Sequence, residues 1–141
     1  MSTVFTKIIS GELPGRFVWS DDRAVAFLSI NPLGPGHTLV VPRAELDQWV
    51  DADVGLIAHL TVVSHAVGEA VRAVWQPPRV GLLVAGFEVP HLHLHVFPAW
   101  TMAAFDFANA ATSVDGAVQD AHAESLRVAL RAAGHGVHVA G

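Results

Sequence analysis

Three rhythms of apolar residues divide the chain. Over residues 53–75, Val54, Ile57, Leu60, Val67, Val71 and Val74 recur at helical spacing, and Pro77-Pro78 ends the run. Residues 3–10 read as a short helix, with Val4, Phe5 and Ile8 on one side and Gly11 as its stop. Residues 115–133 read as a third helix, closed by Gly134. The second rhythm is the short apolar run bounded by turn residues, which marks strands at residues 16–20, 24–28, 37–41 and 79–84. Between them, Asp21-Asp22-Arg23 is a tight turn, and Asn31-Pro32-Leu33-Gly34-Pro35-Gly36 carries turn chemistry throughout. The third rhythm is strict alternation over residues 91–97: a strand with His91, His93 and His95 on one face and Leu92, Leu94 and Val96 on the other. The tract over residues 98–109 is less regular. Short neighbouring strands and one long helix predict an α+β fold, an antiparallel sheet with its helices on one side.

Composition narrows the function classes. With 141 residues, 52% of them hydrophobic, the chain is expected to form a single domain over 1–141, without repeats or linkers. It has no cysteine, which removes disulfides, thiolate nucleophiles and thiolate zinc sites. The net charge is -5, and the eight Lys and Arg residues are scattered, so no basic patch could follow a nucleic-acid backbone. No signal-like start is visible. The longest apolar segments are interrupted by His, Arg or Gly, so no membrane span is expected and a cytoplasmic location is.

The alternating histidines carry the chemistry. A packing role would leave six ring nitrogens needing partners. Alternate imidazoles can share a metal ion, but Glu88 is the only carboxylate within several residues. The reading preferred here is nucleophilic catalysis at phosphorus, in which a neutral imidazole attacks and its neighbours fix its tautomer and bind the phosphate oxygens. His37 opens a strand directly after Pro35-Gly36 and joins this set if the fold brings it near.

These blocks together resemble the histidine triad family of nucleotide hydrolases and transferases. The triad motif is matched by residues 91–97. A second block, residues 4–14, is similar to the family's opening helix and turn. A third runs through Asp21-Asp22, Ala26-Phe27 and residues 31–42. The resemblance covers roughly residues 1–100 and leaves 101–141 as an extension of unassigned role. It implies a five-stranded antiparallel sheet with a long helix packed on it, a shorter N-terminal helix and a C-terminal helix, paired into a homodimer. It also implies that His93 attacks the α-phosphorus of a nucleoside phosphoramidate or a (di)nucleoside polyphosphate, forming a nucleotidyl-histidine that water resolves. His91 and His95 would then hold the phosphate and orient the nucleophile, with His37 completing the set and no cofactor required. The nucleoside pocket maps onto Val4, Phe5, Ile8, Phe27 and Ile30, residues that core packing alone would also explain.

Several positions depart from the family pattern. Ser29 stands where an acidic or amide side chain usually bridges the ribose hydroxyls, which leaves Asn31 as an alternative contact. Phe87 occupies the slot of a glutamine beside the phosphate, with Glu88 following it, and residues 81–85 are apolar. Where some relatives hold zinc with two cysteines and a histidine, this chain has Thr3, Thr6 and Glu45, so no structural zinc is expected. His59 and His65, six apart on the long helix, do not share a face. His122, His135 and His138 are expected to be solvated, and each tryptophan is read as either core or interface. The alternatives to a hydrolase are a nucleotide-binding module with negligible turnover and a metalloprotein using the alternate histidines directly.

Overall fold

The structure, a computed structural model, describes residues 2–140. Helix α1 (Val4–Ser10) starts where the Thr3 hydroxyl accepts the Thr6 N–H, and it ends at Gly11, whose φ of 87° few other residues tolerate. Strands β1 (Phe17–Ser20), β2 (Ala24–Leu28) and β3 (Thr38–Pro42) follow. Helix α2 (Val54–Trp75), capped by Asp53, leads into β4 (Arg79–Leu83) and β5 (Leu94–Ala99). Helix α3 (Gly116–Ala132), capped by Asp115, closes the described fold. The five strands form one antiparallel sheet in the order β1-β2-β3-β5-β4.

Alternation along the strands sends side chains to two different layers. Ala24, Ala26, Leu28, Val40, Leu92, Leu94 and Val96 pack against α2 and α3 in the main core. Val25, Phe27, Leu39 and Val41 point the other way and cluster with Phe5 and Ile8 of α1. The helices are therefore not all on one side, as the pattern alone suggested: α1 covers the opposite face. Along α2 the buried stripe is Leu56, Leu60, Val63, Val67, Ala70 and Val71, whereas Val54, counted in the expected stripe, is 84% exposed. Helix α2 is, by length and composition, apolar enough to cross a membrane, contrary to the expectation from its interrupting polar residues, but much of its apolar surface is taken up by the sheet and α3.

Residues 101–140 are part of this architecture. Ala123, Leu126 and Leu130 of α3 are fully buried in the main core. The less regular tract contains two single 3-10 turns, Met102–Phe105 and Phe107–Asn109. His122, His135 and His138 are not solvated as expected. His122 meets Trp75 edge-on at 5.3 Å and burial lowers its pKa, while His138 stacks on Trp19 at 4.8 Å with His135 beside it. Trp19 and Trp75 act as internal platforms, whereas Trp49 and Trp100 are about half exposed (55% and 52%). Trp75 also lies against Gly36, where φ is 73° and a Cβ would come within 2.2 Å of the indole. Only glycine fits there, and the turn that presents His37 is thereby pressed onto the end of α2.

Candidate active site

The strand ladder begins at Leu94, three residues later than the alternation predicted. Leu92 donates its N–H to the Leu46 carbonyl at 2.6 Å, outside the sheet, and β3 ends at Pro42, so His91 to His93 form an extended lead-in. The alternation of faces survives this change. Leu92 and Leu94 enter the main core, while His93 and His95 stand side by side on the other face with ring centroids 4.8 Å apart. His37, at the start of β3, sits 5.2 Å from His95. Four histidines from two segments are thus brought together, all of them buried.

Their hydrogen bonds fix every tautomer, because a carbonyl only accepts and a backbone N–H only donates. The Leu33 N–H donates to His37 Nδ1 at 2.9 Å. The His37 proton is therefore on Nε2, which donates to His95 Nδ1 at 3.0 Å. That puts the His95 proton on Nε2. His93 Nδ1 donates to the carbonyl of His91 at 2.7 Å, which leaves a lone pair on His93 Nε2. His91 donates from Nε2 to the Pro42 carbonyl at 2.8 Å and accepts the Thr3 hydroxyl on Nδ1 at 2.7 Å. Among the described residues, neither His93 Nε2 nor His95 Nε2 has a hydrogen-bond partner, and neither is sealed from solvent. The site offers the solvent side one lone pair and one N–H, next to each other.

Burial favours the neutral form of His37, His93 and His95. It lowers the pKa of His37 to about 3, with help from the neighbouring His95 and His93, and that of His95 to about 4. His93 is also lowered by burial, although the bond to the His91 carbonyl and the charge of Glu88 pull the other way.

The histidines open into a cavity of about 680 Å³, within the usual range for small-molecule sites. His37, His93 and His95 line it, as do Val4, Phe5, Ile8, Phe27, Ser29, Ile30, Asn31 and Glu88. Phe5 and Phe27 serve both readings, since they are buried in the second cluster, 5.5 Å apart edge-to-face, and also form the wall. Two expected members are elsewhere. Phe87 is 99% exposed and does not line the cavity, because Gly86 (φ 94°) turns the loop outward there. The His91 ring does not reach the cavity either: both of its nitrogens are engaged behind Phe5, and it serves the site through its backbone carbonyl.

Other lining residues had no signal in the sequence. Phe107, Ala110, Ala111, Thr112 and Asp120 reach the cavity from the C-terminal extension. They are tied there by Asn31 Nδ2 to the Ala111 carbonyl (3.0 Å), Ala111 N–H to the Pro32 carbonyl (3.0 Å), and Gln119 Nε2 to the Ser29 carbonyl (3.0 Å). Arg16, also on the wall, donates from Nε to Asp120 at 2.7 Å. These partners are far apart in sequence, so no local pattern could have paired them.

Thr3, Thr6 and Glu45 come together beside His91 as a hydrogen-bonded cluster. Thr3 bonds His91, and the Thr6 hydroxyl donates to Glu45, holding that carboxyl below its usual pKa. Two aliphatic hydroxyls are not zinc donors, so this set does not fit the metal. Among the described residues, no group of three or more His, Asp or Glu is placed to hold an ion.

The lowered pKa values make stability depend on pH. Above about pH 6.5 these imidazoles are neutral in the folded and the unfolded chain alike. Below it the unfolded chain binds protons that the folded one does not. Stability therefore falls with pH, by up to about 1.4 kcal/mol per pH unit for each ring. The loss continues until His95 protonates near 4 and His37 near 3. Urea denaturation is expected to give a midpoint that drops steadily from about pH 6.5 to about pH 5; a flat midpoint over that window would contradict the buried neutral network.

Comparison with known proteins agrees with this geometry. The HIT domain matches residues 10–102. An uncharacterized HIT-like protein of Saccharolobus solfataricus is 34% identical over 103 residues, covering 70% of this chain and 74% of that one. The crystal structure of a hypothetical histidine triad nucleotide-binding protein from Sulfolobus tokodaii aligns with a TM-score of 0.81 at 26% identity, over 92% of each chain. A zinc-bound histidine triad family protein of Mycobacterium smegmatis aligns at 0.79 and 25% identity, over 96% of this chain and 98% of that one, so the likeness extends to the C-terminal helix. By sequence, sheet topology and the four placed histidines, the chain belongs to the histidine triad (HIT) family.

Proposed function

We propose that the protein cleaves nucleotides at the α-phosphorus through a covalent nucleotidyl-His93 intermediate. The observation that carries this reading is the pair of adjacent groups at the cavity: a lone pair on His93 Nε2, enforced by the His91 carbonyl, and an N–H on His95 Nε2, enforced by His37. A nucleophilic imidazole must be neutral, and burial keeps this one so. The fixed N–H beside it suits a phosphoryl oxygen, whose charge grows in the transition state. Phe5 and Phe27 give the base an apolar, aromatic wall, and Ser29 and Asn31 stand at the polar side of the same cavity.

The reaction balances in two steps. His93 Nε2 bonds to phosphorus, and the bond to the leaving group breaks with its electron pair on the departing atom, which takes a proton from solvent at the open end. Water then bonds to phosphorus, the P–Nε2 bond returns its pair to His93, and the proton released by the water replaces the one consumed. The products are a nucleoside monophosphate and the protonated leaving group. No step needs His95 to ionise, which matters because His37 and Leu33 hold it as a neutral donor.

A homodimer fits the same protomer. Strand β4 is an edge of the sheet, and its Leu82 (54% exposed) and the following Val84 (40%) are open to solvent there. An apolar sheet edge of this kind invites pairing, and a second copy supplies an identical one. Sedimentation is expected to show a dimer that Leu82→Lys converts to monomer; a monomeric parent protein would contradict the pairing.

Turnover tests the chemistry. The protein should release adenosine monophosphate from adenosine 5′-phosphoramidate, and His93→Ala should lower kcat/KM by at least about a thousandfold while still binding the product. The acid limb of kcat/KM should lie below pH 6.5, since His93 is shifted down from that value. Equal, negligible turnover in both proteins, on phosphoramidates and polyphosphates alike, would replace this reading with a binding module.

A further inference from the structure

The charges around the cavity are unusual for a site that handles phosphate. Arg16 is the one Lys or Arg among the described lining residues, and its guanidinium is held by Asp120 at 2.7 Å and lies 3.4 Å from the Gly116 carbonyl. The pair cancels. His37, His93 and His95 contribute no positive charge near neutral pH, because burial keeps them unprotonated. What remains is Glu88. Its side chain is exposed on the loop before the triad, lines the cavity and makes no hydrogen bond or ion pair among the described residues. Its carboxylate is close enough to act on His93, the residue against which the phosphorus must sit. A carboxylate with no partner among the described residues thus lines the same cavity as His93.

One anionic phosphate can be held there by the His95 N–H. Each further phosphate brings at least one more negative charge toward Glu88 with no cation to receive it. A leaving group that carries positive charge has the opposite relation to the carboxylate. We propose that Glu88 sets the leaving-group specificity of this site, favouring nucleoside monophosphates joined through a P–N bond to a cationic amine and disfavouring polyphosphate chains. This rests on the hydrolase reading above and names its substrate class. It also assigns a role to a residue whose neighbour, Phe87, had been expected to shape that space and instead points away from it. The position matters more than the number of charges: Asp120 is equally acidic, but its carboxylate is already taken by Arg16.

The test compares the full chain with Glu88→Gln, a substitution on an exposed loop that keeps shape and removes charge. Two substrates are used: the adenosine 5′-phosphoramidate of a diamine, whose far amine is protonated, and diadenosine tetraphosphate. The ratio of kcat/KM for the first over the second should fall at least about tenfold in the variant, and the difference should shrink as salt is raised. A ratio unchanged within twofold, with both substrates hydrolysed, would overturn this assignment and leave the hydrolase reading intact. A second readout does not depend on turnover. In the His93→Ala background, calorimetry should show affinity falling from adenosine monophosphate to adenosine tetraphosphate, and Glu88→Gln should flatten that trend. If neither substrate is cleaved yet the trend is flattened, the hydrolase reading fails, and with it the leaving-group role, while Glu88 keeps only a discrimination against polyphosphate in binding. A trend that is absent or unaltered by the substitution counts against it.

Discussion

The bond from His93 Nδ1 to the carbonyl of His91, 2.7 Å long, decides which edge of the His93 ring carries a lone pair. Imidazole in solution exchanges between two tautomers, and only one of them can attack from Nε2. The carbonyl selects that one, provided His91 itself does not move. His91 is held by Thr3 on one side and by Pro42 on the other, and Phe5 packs across both His91 and His93. The cap of α1, the end of β3 and the lead-in to β5 therefore all bear on a single peptide carbonyl. The second half of the site is built in the same way: the Leu33 N–H sets His37, and His37 sets His95. Two short relays of backbone-anchored hydrogen bonds point a lone pair and a proton at the same cavity.

Keeping these rings buried and neutral has a consequence for binding. Solvated histidines near their ordinary pKa would lend partial positive charge to a phosphate, but these do not. Under the proposed function an anion would be held through one oriented N–H, since the one guanidinium among the described lining residues is neutralised by an aspartate from the C-terminal helix. Net charge is then set by one carboxylate on one exposed loop. On the proposed role of Glu88, a site assembled this way would exchange substrates by changing that loop residue without disturbing the imidazole network.

Much of this was legible in the chain because it is local. The strand and helix positions follow from apolar spacing, and the triad announces itself by strict alternation. The turn before His37 is written in Asn31-Pro32 and Gly34-Pro35-Gly36. What was not legible depends on distant pairing. Nothing near His91 indicates that its ring faces Thr3 and Pro42 while its carbonyl does the orienting. Nothing in residues 107–120 suggests that they wall the cavity, since their partners Arg16, just before β1, and Ser29 and Asn31, just after β2, are distant in sequence. Helical spacing alone puts Val54 on the inner stripe although it is exposed at the start of α2, and nothing near His122, His135 and His138 announces the indoles they pack against, which are distant in sequence. Phe87 was misplaced for the simplest reason, a glycine with positive φ just before it that turns the ring to solvent.

The central claim is that phosphorus is attacked first by His93 and only afterwards by water, which is two displacements at one centre. The stereochemistry of the product reports this directly. Hydrolysis of a phosphoramidate of adenosine 5′-phosphorothioate, of defined configuration at phosphorus and in oxygen-18 water, yields a chiral phosphorothioate. Two in-line displacements predict retention of configuration. Inversion would mean that water attacks the substrate directly, and the orientation of His93 by the His91 carbonyl would then need another explanation.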